Sequence, residues 1–180
     1  MTARQAYIKK FSVDPVDLVH ADHMSDEVSG PDNDELEDGW KRRMAEKMGM
    51  PANSQVENLS FLEVTRSPWR SDELSQIFHT LHDLWRASLT SKQKKRFHMI
   101  QVTGTDHQSQ HIPDFTPYTF SINIEWLEAN KYRLEYQDLL KEWGAWEDPE
   151  GFGLKKREHQ DNQGTPNNEV DENNARETEG

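Results

Sequence analysis

Five of the six tryptophans in this 180-residue chain (Trp69, Trp85, Trp126, Trp143 and Trp146) fall in one central stretch, and that clustering decides where a core can form. Elsewhere apolar residues are thin. Hydrophobic residues make up 33% of the chain and charged residues 30%, too little apolar surface to offset backbone entropy along the whole length. The expectation is a single compact helical domain over residues 60–148. Residues 1–32 read as a disordered acidic arm, broken by Asp14-Pro15 and Gly30-Pro31, and residues 149–180 read as a disordered, almost wholly polar tail.

Periodicity fills in the elements. Residues 33–50 predict a short amphipathic helix, capped by Asp32 or Asn33, with Leu36, Trp40, Met44 and Met48 stacked four apart. Gly49 sits where a helix-ending glycine belongs and Pro51 forbids continuation. Its narrow apolar stripe must dock, either on this chain's core or in a partner's groove. Ser71 is a good N-cap, and Leu74, Ile77, Phe78, Leu81, Trp85 and Leu89 follow at helical spacing. Thr90 or Ser91 restarts a second, basic helix from Lys92 to about Val102. Residues 104–117 read as loop.

The alternation in Tyr118–Ile124 signals an extended strand. It would pair with Leu59–Thr65 or lie as an extended segment across the helices. Asn123 caps a last helix that carries Trp126, Leu127, Tyr132, Tyr136, Leu139, Leu140 and Trp143, and Gly144 ends it. The fold expected is thus mainly α: three to four helices with at most a short two-stranded element, flanked by disordered acidic tails.

Charge and composition narrow the chemistry. A net charge of −12 opposes general affinity for nucleic acid or anionic membrane. Without cysteine there is no disulfide framework, thiol nucleophile or thiolate metal site. The first ten residues lack the apolar run of a signal peptide, and no apolar stretch is long enough to span a bilayer. An intracellular protein, cytoplasmic or nuclear, is expected.

The segment Ser67-Pro68-Trp69-Arg70-Ser71-Asp72-Glu73-Leu74, then Phe78 and Leu81, Ile112-Pro113 and Phe120–Leu127, resembles a group of uncharacterised basidiomycete fungal proteins. Their shared core is a Pro-Trp-Arg-Ser helix start, a variable loop, and a short extended stretch leading to Trp-Leu. The resemblance implies a single helical module of eukaryotic, intracellular origin. That group carries no assigned activity, so no site transfers from it.

Candidate sites follow from residue types. His107 and His111 stand four apart beside Asp106, and His79 and His82 three apart beside Asp83, spacings that can share a metal ion on a helix. Neither pair lies in a His-Glu-x-x-His arrangement, and solvated histidines are the commoner outcome, so no metal is assigned. Carboxylate pairs are too many to single one out, and no serine sits in a nucleophile elbow. Gly151-Phe152-Gly153 lacks the strand and helix of a phosphate loop. No catalytic residue or cofactor is assigned.

The basic run leaves one positive candidate. Arg86, Lys92, Lys94, Lys95 and Arg96 lie on or beside a helix after a short turn, a layout able to contact phosphates. Trp146 and Phe152, beyond the last helix, are expected at the surface as anchors for a partner protein. The leading expectation is a non-catalytic protein-interaction module. Nucleic-acid association through residues 86–98 is the rival.

Overall fold

The computed structural model describes residues 1–31, 34–97, 99–104 and 107–156. Helices α1 (Ala3–Phe11), α2 (Glu37–Lys47), α3 (Asp72–Ser88), α4 (Ser91–Arg96) and α5 (Ile124–Asn130) accompany strands β1 (Glu27–Val28), β2 (Phe61–Val64) and β3 (Ile100–Val102). The strands form one mixed sheet in the order β1-β2-β3. β1 is antiparallel and β3 parallel to the central β2. The chain crosses from β2 to β3 through α3 and α4, as a parallel pair requires. The fold is α/β, which corrects the expectation of a mainly α domain with at most two strands. The reason is physical: β1 and β3 have two and three residues, too few to show any alternation.

Two apolar clusters share the interior. The larger gathers Tyr7 of α1, Leu18, Trp69, the α3 residues Leu74, Ile77 and Phe78, then Leu127, Trp143 and Phe152. The smaller lies where α2 packs on the sheet through Trp40, Met44 and Ala45 against Val56, Phe61 and Val102. The stripe predicted for residues 33–48 therefore docks on its own domain. Only its middle is used, since Leu36 and Met48 stay exposed. Leu36 occupies the N-cap position, whereas the expected caps Asp32 and Asn33 lie outside the described residues.

The predicted acidic arm is a built part of the domain. Thr2 and Gln5 form a capping box that starts α1, which packs against α3. Pro15, Leu18 and His23 are buried farther along. The tail is folded at least through residue 156. Gly151 and Gly153 hold positive φ, and a Cβ on Gly151 would come within 2.5 Å of Val13, one on Gly153 within 2.2 Å of Asp148. Only glycine allows the chain that close. The rest of the predicted tail, residues 157–180, lies outside the described residues.

Three further expectations change. The basic helix ends at Arg96 rather than Val102, because Ile100–Val102 pair with β2. Tyr118–Ile124 makes a 3₁₀ turn over Thr119–Ser121 and then crosses the larger core, holding one bridge between Ile122 and Arg70. The last helix stops at Asn130, with turns and a 3₁₀ segment over Leu140–Glu142 where a continuous helix was expected. No helix among the described residues is long and apolar enough to cross a membrane.

Candidate binding cleft

Strand β2 sorts its side chains by alternation. Phe61 and Glu63 face α2, where the Trp40 indole stands edge-on to Phe61 and donates to Glu63 Oε2 at 3.1 Å. Val64 points the other way, in register with Glu27 of β1. On that second face the helix lying over the sheet, α3, presents a polar stripe of His79, His82, Asp83 and Arg86, and it does not close down on the strands. Between them runs an open cleft of about 650 Å³.

Its lining includes the buried Phe78 and the half-buried Val64 and Ile100 together with the exposed Met24, Met48, Phe97 and Met99. The three methionines are 47%, 47% and 36% exposed, so unbranched, polarisable side chains face solvent along the opening. Polar groups are distributed around this lining. Glu27 accepts a hydrogen bond from the Gln101 amide across the sheet, and Arg86 and Lys94 project from α3 and α4. His82 is held below the ordinary histidine range, chiefly by burial, with Arg86 adding to the effect and Asp83 and Glu27 opposing it.

Two of the lining residues, Ser25 and Phe78, contact Arg70, which does not itself line the cleft. Its side chain is buried, and its guanidinium donates to His23 carbonyl oxygen (3.0 Å), Ser25 Oγ (2.7 Å) and Ser75 Oγ (3.1 Å) over the Phe78 ring. All of these partners are neutral. Burial lowers the Arg70 pKa from its ordinary value, the direction expected of a cation removed from water. Hydrogen bonds satisfy three of its five N–H groups and leave its charge uncompensated.

His23, held by the same guanidinium through its carbonyl, sets a pH response. Its ring nitrogen lies 3.0 Å from Phe115 carbonyl oxygen, and burial pushes its pKa down. The unfolded chain, with an ordinary histidine near pH 6.5, then binds more protons than the folded one as pH falls below that value. Stability present above about pH 6.5 is lost as pH falls through the folded-state pKa. Thermal melts between pH 7.5 and 5.5 are expected to show a declining Tm, and His23→Gln a shallower decline. An unchanged slope would show that His23 does not carry the response. The lowered carboxyls of Asp14 beside Arg4 and Glu35 beside Arg43 act in a separate window, below about pH 4.

The sequence candidates are dispersed. Arg86 and Lys94 line the cleft, whereas Lys92, Lys95 and Arg96 are exposed on α4 away from its lining. Trp146 is 41% exposed, in a surface row with Phe115 and Tyr118, and His20 stacks on Phe115 at 4.4 Å. Phe152, expected at the surface, is instead 3% exposed and stacked on Phe120, so it belongs to the core. His107 and His111 part company: His107 Nδ1 lies 3.0 Å from Glu63 and His111 Nε2 3.0 Å from Asp22. His79 and His82 both line the cleft. No group of three metal-capable side chains occurs among the described residues.

Sequence reasoning missed the cleft itself. Met24, Ser25 and Glu27 lie in the stretch read as an unfolded arm, and Met99 and Ile100 in the stretch read as helix. Comparison with protein-family models, with curated proteins and with solved structures finds no match to the chain.

Proposed function

We propose that the chain is a non-catalytic module that binds another protein, taking an apolar segment of that partner into the cleft between α3 and the sheet. The observation that carries this reading is that three exposed methionines, Met24, Met48 and Met99, line the cleft together with the apolar Phe78, Val64 and Ile100. Thioether side chains repack around differently shaped anchors at little cost, as surfaces that accept protein segments do. The half-open shape suits a bound segment that enters from solvent. The exposed Trp146 supplies a second contact, and the intracellular setting expected from the cysteine-free composition belongs to the same reading.

The test compares proteins retained by the immobilised full chain with those retained by Met99→Glu, which puts a charge on the cleft lining. At least one protein held by the parent chain is expected to be lost from the variant. Identical retained sets would remove the cleft from the proposal.

A second reading has its own observation: Arg86, Lys92, Lys94, Lys95 and Arg96 are all solvent-exposed. Fluorescence anisotropy of mixed-sequence DNA and RNA at two salt concentrations separates the two. Salt-sensitive binding abolished by changing Lys94, Lys95 and Arg96 to alanine favours nucleic acid. Affinity unchanged in that variant sinks it.

A further inference from the structure

We infer that Met24, Met48 and Met99 form an oxidation site: a peroxide converts these three thioethers to sulfoxides and closes the cleft to apolar segments. This rests on the reading of the cleft as a docking site and adds a chemistry that switches it. The chain has six methionines and no cysteine, so thioethers are its only sulfur. Met44 is buried in the smaller cluster and Met50 is half-buried beside it. Met1 is exposed but does not line the cleft. The other three come from separate stretches, the segment before β1, the residue after α2 and the residue before β3. All three line the one cleft and face solvent.

A sulfur lone pair takes one oxygen from hydrogen peroxide as the O–O bond breaks. The departing hydroxide collects the proton of the transferred oxygen and leaves as water. Sulfur is oxidised and the peroxide reduced. Access from water selects which sulfurs react, and each product is a polar side chain where an apolar one stood. The sulfoxide oxygen is hydrated while the cleft is open. An apolar segment that covers it removes that water and offers no donor in exchange, which is unfavourable. Three sulfoxides therefore weaken apolar docking, whereas the smaller cluster keeps its packing because Met44 is out of reach. Methionine sulfoxide reductases, with a thiol as reductant, return the sulfurs to thioethers.

The experiment treats the full chain with hydrogen peroxide at neutral pH and maps the sulfoxides by peptide mass spectrometry. Binding is read with the neutral dye N-phenyl-1-naphthylamine as an apolar probe. Met24, Met48 and Met99 are expected to oxidise well before Met44, with the urea midpoint unchanged and dye affinity lowered about tenfold. Methionine sulfoxide reductases with dithiothreitol should restore that affinity. Met24→Leu/Met48→Leu/Met99→Leu keeps the volume and removes the sulfur, so its dye affinity should survive peroxide. Undiminished affinity in the parent chain carrying all three sulfoxides overturns the switch, as does an equal loss in the leucine variant. Oxidation of Met44 as fast as the other three also overturns it, since exposure would then not select the site. Failure of the dye to bind the untreated chain, or equal binding to Met99→Glu, overturns the docking reading and the switch with it.

Discussion

Trp69→Ala is expected to cost about 3–5 kcal/mol, a large share of the roughly 5–15 kcal/mol that holds a domain of this kind together. Trp69 is 1% exposed and stands at the centre of the larger cluster, its ring 5.6 Å from Trp143 and 5.6 Å from His23, both edge-on. Alanine leaves a void that Trp143 and Leu74 cannot fill without leaving their own contacts. The backbone at this point is also a junction: Asn123 N–H donates to Trp69 carbonyl oxygen at 2.7 Å and Ser71 N–H to Ser121 carbonyl oxygen at 2.8 Å. Urea titration followed by far-UV circular dichroism should show a midpoint far below that of the parent chain. Trp69→Phe is the control. Because the Trp69 Nε1 has no acceptor among the described residues, phenylalanine forfeits area but no hydrogen bond, and its cost should be well under half that of alanine. Equal costs for the two variants would show that packing volume is not what Trp69 contributes.

The second large effect belongs to Glu63, whose carboxyl group is 1% exposed at the centre of the sheet. Oε2 accepts from the Trp40 indole, and Oε1 lies 3.0 Å from His107 Nδ1 and 3.7 Å from Arg43, close but without an aligned hydrogen bond. Glu63→Ala removes the acceptor of a buried donor, which costs about 1–3 kcal/mol on its own, and empties space beside Trp40 and Phe61. The total expected is about 3–4 kcal/mol. Glu63→Gln keeps an acceptor at the same reach and should retain most of that stability. Trp40 emission moving to longer wavelength in Glu63→Ala but not in Glu63→Gln, with the urea midpoints in the same order, would support this account. A glutamine variant as unstable as alanine would mean that the charge, and not the hydrogen bond, matters.

How much of this was legible depends on whether the signal was local. The caps at Ser71, Thr90 and Asn123 each accept the backbone N–H their sequence position implies, and Gly49, expected to end its helix, follows α2 with a positive φ. A helix start is decided within four or five residues, so its chemistry is visible in the chain. The sheet was not visible in this way. β3 follows a basic helical run, and the pairing of Ile100 with Phe61 decides its conformation from 39 residues away. Tyr7, Leu18 and His23 are buried singly in a polar stretch, without a period to betray them. The cleft draws on five separate segments. Nothing around Arg70 in Pro-Trp-Arg-Ser indicates that its charge is buried beside neutral partners, because two of those partners, His23 and Ser25, lie 47 and 45 residues away in sequence.

The contact of Val13 and Tyr7 with the Gly151–Phe152 turn has a consequence for how the chain is made. During translation α1 leaves the ribosome first, yet the surfaces it needs, α3 and the turn at Phe152, are synthesised later, the turn almost at the end of the described residues. The larger cluster cannot close until that turn has been made, so its closing waits for the last described segment of the domain. Contacts that distant in sequence also slow the closing step itself, because loop entropy is lost before burial returns it. Until that turn emerges, Tyr7, Trp69 and Trp143 lack the full cluster that buries them.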